Sequence, residues 1–376
     1  MARLPAGMSK RKDGTIMCRF TVEGKRYTVY GQTVKECREK ELQKREKIAA
    51  GLYKSGKVMT VAEYADQYID SLRELDKATT IYNYGLRAKS ICGTVIDGSG
   101  RKFGELKLDK VEVQNIRDLQ KALADNGISS TGINSRITFL SCMYKAAVTE
   151  RICSWNPVKG VKAMKRTEEK ARDTNHRALT REETAAFLDE ARRRGSWFLN
   201  QYILMLNTGM RNGEAAALAP VHISGNGIKV CRTLTRTETG AFVIGEEAKT
   251  EAGRRYIPLN EDARKAITDQ MNIERHLRGG KVIDLDAPIF SGQKGGLVQI
   301  ASINLDIKRI CEAAGIEKFS VHAFRDTFAT RCIESGMPAK VLMEIMGHTN
   351  IQMTLGLYAH VVVESKNDHM KAVNFF

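Results

Sequence analysis

The chain lacks any apolar run approaching the roughly 18 residues that a membrane-spanning helix needs. Its first fourteen residues, MARLPAGMSKRKDG, contain no apolar stretch of the secretory-signal kind. Both absences point to a cytoplasmic protein with no membrane partner. Eight cysteines stand at positions 18, 37, 92, 142, 153, 231, 311 and 332, with no CxxC pair and no histidine at zinc-ligand spacing. A structural zinc is therefore not expected, and cysteines scattered in this way read as reduced core residues. No acidic cluster suggests a metal site, so neither a metal nor another cofactor is expected. There is no internal repeat and no low-complexity tract. Acidic residues are themselves in short supply, 44 against 60 Lys and Arg, for a formal net charge of +16. A soluble chain this basic meets a polyanion, with nucleic acid the first choice ahead of a membrane surface.

The residues present suffice for several domains: 376 in all, 42% of them hydrophobic. In TIMCRFTV, Ile16, Cys18, Phe20 and Val22 alternate with Met17, Arg19 and Thr21, which predicts a strand with one buried face. A turn at Glu23-Gly24-Lys25 leads into a return strand, RYTVY. Thr33 and Glu36 have the spacing of a capping box and open a helix ending near Gly51. The exposed face of this small sheet would carry Arg19, Lys25 and Arg26, with Lys10, Arg11 and Lys12 close by. A ribbon of this kind fits a major groove.

From about residue 58 to 160 the pattern is helical. Thr60 and Glu63 form a second capping box, followed by Val61, Tyr64, Ala65, Tyr68, Ile69 and Leu72 at helical spacing. Further helices are expected over about 79–92, after a cap at Asp109, and over about 131–148, with Asn156-Pro157 closing the run. Lys77, Arg87, Lys89 and Arg136 are expected on the outside, where they would grip a duplex. Residues from about 159 to 177 are charged and aperiodic and read as an exposed linker. A third capping box, Thr180 to Glu183, opens a mixed segment: helices to about Leu218, strands from about Ile228 to Leu259, then helices.

Four stretches of that segment bear chemistry. NTGMRNGEAAAL places Arg211 and Glu214 three apart, as on one helix face. KTEAGRRYIPL places Lys249 at a hairpin tip. HAFRDTFAT places His322 and Arg325 three apart. GHTNIQMTLGLYAH carries His348 in a Gly347-led turn and Tyr358 on a helix with Ile351 and Leu355. Singly each is weak. The order TGxRxxE, K, HxxR, GH, Y over half the chain resembles the tyrosine recombinase (integrase) family.

The chemistry agrees. Attack on a phosphodiester gathers charge on the non-bridging oxygens, which two planar guanidiniums, Arg211 and Arg325, can hold and neutralise. Lys249 is placed to protonate the leaving 5′ oxygen, His322 to take the phenol proton, and His348 to donate to the phosphate. Tyr358 is the nucleophile, forming a 3′-phosphotyrosyl link that keeps the bond energy. Glu214 orients its neighbours. Arg254 and Arg255 read as phosphate or backbone contacts. His360 reads as structural, and Tyr202 and Tyr256 lack the context of a nucleophile. Departures from the usual family pattern are small: Phe324 for Leu, Asp326 for His and Met346 for Leu, none of them a reacting group.

The resemblance implies a multidomain α+β chain. Residues 1–56 would be a small sheet-plus-helix arm-binding domain and 58–160 an all-α core-binding domain. Residues 161–177 would be a linker, and 178–376 a mainly helical catalytic domain with a small antiparallel sheet and a C-terminal tail. It implies integration and excision of a mobile element at double-stranded attachment sites by a homotetramer, with an excisionase or host DNA-bending protein assisting. The protein would join the nucleoid when bound to DNA. Two other readings are a type IB topoisomerase, which shares the chemistry, and a DNA-binding regulator without catalysis. The N-terminal sheet and the tail after Tyr358 favour the recombinase over the first. The full set of filled motif positions favours it over the second.

Overall fold

The computed structural model describes residues 4–22, 24–49, 59–165, 177–246, 254–277, 279, 284–293, 295–352 and 355. Lys249 and Tyr358, and the tail beyond Tyr358, lie outside them. The chain divides into two compact units, Met1–Thr167 and Glu168–Phe376. No helix among the described residues is long and apolar enough to cross a membrane.

The first unit opens with an antiparallel sheet, β1 (Met8–Lys10), β2 (Ile16–Val22) and β3 (Lys25–Gly31), in that order. Alternation along β2 buries Ile16, Cys18 and Phe20 with Val29 of β3 and Cys37 of helix α1 (Val34–Ala49). The opposite face pairs Arg19 with Thr28 and Thr21 with Arg26, so both arginines stand on the exposed side. The first strand, β1, is not evident from the sequence because three residues are too few to show a period. At the start of α1 the Thr33 hydroxyl accepts from the Glu36 N–H, as expected. The Glu36 carboxylate, however, reaches back to the Gln32 N–H.

The helical part of this unit comprises α2 (Val61–Leu72), α3 (Ala78–Gly93), α4 (Val113–Asp125) and α5 (Ser130–Thr149) around a core of its own. Thr60 and Glu63 form the reciprocal box that the sequence predicts. Asp109 does not cap α4. It sits in a short 3-10 turn, Leu108–Lys110, and α4 begins after Glu112, whose N–H donates to the Asn115 side chain. The expected linker is ordered at its start. Asn134 clamps the Met164 backbone in both directions, at 2.9 and 2.8 Å, and Gln120 donates to the Lys162 carbonyl. Charge and aperiodicity hide such docking because it is made by backbone groups.

The second unit packs α6 (Arg181–Arg193), α7 (Leu199–Thr208) and α10 (Ile300–Ala314) around Phe187, Tyr202, Phe319 and Phe324, whose rings meet edge-on or tilted. Between α7 and α10 come α8 (Asn212–Ala216), a three-stranded sheet, a hairpin and α9 (Glu261–Leu277). The sheet order is β4 (Ile223–Ser224), β5 (Gly227–Val230), β8 (Arg255–Pro258), all antiparallel, and β6 (Arg232–Arg236) pairs with β7 (Phe242–Glu246). After α10 come α11 (Ala323–Glu334) and α12 (Ala339–Met346). All eight cysteines are free, and five of them are buried.

Candidate active site

The site grows from two helix ends that face each other. Helix α7 stops at Gly209, which adopts φ +62°, and a Cβ there would strike the Phe328 ring at 2.4 Å. Only glycine satisfies both the left-handed turn and the close ring. Helix α12 stops in the same way at Gly347, φ +64°, where a Cβ would meet the Arg255 side chain at 3.0 Å. The TG and GH of the two sequence stretches are therefore helix terminators, and they set the positions of Arg211 and His348.

Arg211 and Glu214 do not share a helix face, contrary to the reading of their spacing. Arg211 is the residue before α8, and Glu214, in its first turn, accepts the Arg211 N–H at 2.8 Å and its Nη1 at 2.8 Å. The helix is too short for faces to matter, and the first-turn N–H groups have no internal partner. Glu214 is 1% exposed. Burial works against its ionisation, but the hydrogen bonds and charge of Arg255, the Arg211 N–H and the Arg211 charge outweigh it and hold the carboxyl well below the usual range.

Arg325, 3% exposed on α11, donates from Nη1 to the Gly209 carbonyl and from Nη2 to the Met346 carbonyl, both at 2.6 Å. Arg211 Nη2 donates to the Gly347 carbonyl at 3.3 Å. Arg255 Nε donates to the Ile345 carbonyl at 2.6 Å. Three successive carbonyls at the C-terminus of α12 thus each receive a different guanidinium, which the negative end of a helix favours. Burial and the Arg211 and Arg255 charges push Arg325 down to about 9, against the pull of Glu214 and Asp326, and it remains cationic at neutral pH. His348, 9% exposed, comes directly after Gly347. Burial and the three guanidiniums push it down to about 4, so it is neutral at pH 7 and has one N–H to donate. His322 lies one turn before Arg325, exposed, with its carbonyl accepting the Arg325 N–H at 3.0 Å.

The structure thus brings together Arg211, Glu214, Arg325 and His348 and sets His322 at the start of the same helix as Arg325. Arg255 is the addition. The sequence allows it a backbone contact, and it makes one. Its grip on Glu214, at 3.0 and 2.5 Å, is the part that the motifs do not reveal. A signal exists nonetheless: in RYIP the strand alternation puts Arg255 and Ile257 inward, and an inward arginine requires a buried anion. Tyr202 is fully buried and donates to Asp306, which excludes it as a nucleophile, and Tyr256 points outward on β8.

Among the candidate DNA contacts, Arg19, Arg26 and Lys77 are exposed. Lys25 opens β3. Arg87 lies against the Tyr84 ring at 5.6 Å. Arg136 departs from its expected outward placement. It is half-buried and engaged with Ser90 Oγ at 2.8 Å and the Gly132 carbonyl at 3.0 Å, because small residues leave room for it against α3.

The lowered pKa of His348 has a measurable consequence. An unfolded histidine takes up a proton near pH 6.5, and the folded one resists until about 4. The contribution of His348 to stability is therefore full above pH 6.5 and is lost as pH falls toward 4. Glu214, also depressed, acts in the same direction at lower pH. His348→Gln should flatten the fall of the urea midpoint between pH 6.5 and 4. An unchanged slope would show that His348 is not held neutral by the cluster.

Three clustered guanidiniums beside a neutral imidazole make a site suited to an anion such as a phosphodiester. Residues 177–365 match the model of the phage integrase family. The chain is 24% identical over 362 residues to a tyrosine recombinase XerC-like protein of Caldanaerobacter subterraneus subsp. tengcongensis, covering 92% of this chain and 90% of that protein. It is 24% identical over 409 residues to the transposase from transposon Tn916 of Enterococcus faecalis, covering 99% of this chain and 95% of that one. The Tn1549 transposon integrase, solved in complex with a circular intermediate DNA, matches with TM-score 0.68 at 23% identity, over 84% of this chain and 100% of that one. A lambda integrase tetramer bound to a Holliday junction matches with TM-score 0.59 at 17% identity, over 95% and 96% of the two chains. The chain belongs to the phage integrase family and is a site-specific tyrosine recombinase.

Proposed function

We propose that the chain integrates and excises a mobile element by cutting and rejoining duplex DNA through a 3′-phosphotyrosyl intermediate at Tyr358. Arg211 and Arg325 bind the non-bridging oxygens of the scissile phosphate, and His348 donates its N–H to one of them. His322 takes the Tyr358 proton, and Lys249 protonates the departing 5′ oxygen. The convergence of three guanidiniums on the end of α12, beside His348, is the observation that carries this reading. Attack by a phenolate turns a monoanionic diester into a dianionic five-coordinate state. Three clustered guanidiniums, two of them buried and only partly offset by Glu214 and Asp326, favour the second over the first. The chemistry needs no metal or other cofactor.

Residues 1–56 would bind distal arm sites through Arg19, Lys25 and Arg26, residues 58–160 the core site through Lys77 and Arg87, and 178–376 would hold the catalytic centre, with 161–177 as the connection. Four copies would assemble on paired attachment sites, as the lambda integrase does on its junction, helped by an excisionase or a host DNA-bending protein. The test is a nicked duplex bearing an element–chromosome junction, on which wild-type protein is expected to become trapped covalently. Relaxation of a plasmid that carries no attachment site would instead favour a topoisomerase, and a folded protein that binds without forming an adduct would favour a regulator.

The arm assignment has its own test. A chain lacking residues 1–56 should keep core-site binding and cleavage and lose distal-site binding in a gel shift. Replacing Arg19 or Arg26 should lower the salt slope of arm binding by about 1. Loss of core cleavage by a folded truncation would contradict the arm role.

A further inference from the structure

We infer that Arg255 is a positioning residue for the phosphate site: with Glu214 it balances the charge beside Arg211 and fixes the helix end that places His348. The inference rests on the recombinase reading above and assigns a role to a residue outside its reacting set.

Arg255 is buried, at 8% exposure, and its guanidinium is engaged by partners inside the protein. Its three donating nitrogens are all committed inside the protein: Nη1 and Nη2 to the two oxygens of Glu214, and Nε to the Ile345 carbonyl. The fork therefore ties α8, through Glu214, to the last turn of α12. Both elements bear on the reaction. Glu214 holds the backbone and Nη1 of Arg211, leaving Nη2 turned to the Gly347 carbonyl. The last turn of α12 precedes His348, and Gly347 itself lies against the Arg255 side chain.

Without Arg255, the charge that Glu214 keeps through the Arg211 N–H and guanidinium would bear chiefly on Arg211. Arg211 would then be drawn toward the carboxylate and away from a phosphate. Shared between two guanidiniums, the carboxylate orients Arg211 and leaves the trio with a net positive charge. Strand geometry makes this arrangement specific. Arg255 stands opposite Val230 in the β5–β8 ladder, and its neighbour Ile257 is buried in the core, so the backbone that aims the fork cannot swing. A lysine there would keep the charge but could not hold two oxygens and a carbonyl together.

The experiment measures single-turnover adduct formation on the nicked junction duplex, together with DNA affinity and the melting temperature, for Arg255→Met, Arg255→Lys, Glu214→Gln and Arg255→Met with Glu214→Gln. Arg255→Met should bind DNA within about threefold of wild type and cleave at least about 100-fold more slowly. Arg255→Lys should fall about tenfold. The double variant should cleave at least about tenfold faster than Arg255→Met alone, because the unbalanced carboxylate has gone, a rescue that a purely structural role would not produce. Folded Arg255→Met or Arg255→Lys protein that cleaves at the wild-type rate would overturn the inference, as would a double variant no faster than the single one. Should Arg255→Met not fold, Arg255→Lys decides the matter by the same rate and affinity comparison. Absence of any adduct with wild-type protein would strike at the recombinase reading instead, so the two failures are distinguishable.

Discussion

Tyr358→Phe should abolish the covalent adduct and leave DNA affinity within about twofold of wild type. The substitution removes one oxygen and keeps the apolar ring, so packing and the phosphate-binding cluster are retained. The lost atom is the proposed attacking group, and without it no phosphotyrosyl ester forms at this position to conserve the phosphodiester energy for a second strand. Water could still hydrolyse the diester within the arginine cluster, as residual catalysis survives loss of a nucleophile elsewhere. That route would leave free ends and no protein–DNA band. The measurement is a denaturing gel of the nicked duplex after incubation, with an anisotropy titration as control. An adduct of unchanged yield would move the nucleophile to another residue. Tyr202 would remain excluded, since it is buried against Asp306.

The parts of this protein written in local pattern are readable. The Thr60 and Thr180 capping boxes form as their spacing predicts, because both partners sit within one turn. The face of β2 comes from strict alternation. Arg211, Arg325 and His348 can be picked out by the order of their motifs. Their arrangement cannot, because it depends on carbonyls of α12 and on two left-handed glycines far apart in sequence. Arg255 shows the limit most clearly. Its inward register is legible in RYIP, but its anion lies 41 residues away, on the far side of a hairpin. Asp109 fails for the opposite reason. It is a good cap by type, but the chain makes a 3-10 turn there and starts the helix four residues later.

Arg211→Lys should lower the cleavage rate by about 10²–10³-fold with little change in DNA affinity, corresponding to about 2.7–4 kcal/mol of lost transition-state stabilisation. Charge is conserved in this change, so a purely Coulombic site would lose little. The geometry argues otherwise. Arg211 uses Nη1 for Glu214 and Nη2 for the Gly347 carbonyl, on a half-exposed guanidinium whose remaining N–H bonds are available to an incoming phosphate. A lysine has one nitrogen for all three. Close to a buried carboxylate it would pair with Glu214 first and leave the developing charge on the phosphate to Arg325 and the single N–H of His348. Affinity is spared because one phosphate among many contacts contributes little to duplex binding. Single-turnover cleavage at saturating protein separates the two quantities. A rate within about threefold of wild type would mean that the planar fork of Arg211 does not hold the reacting phosphate.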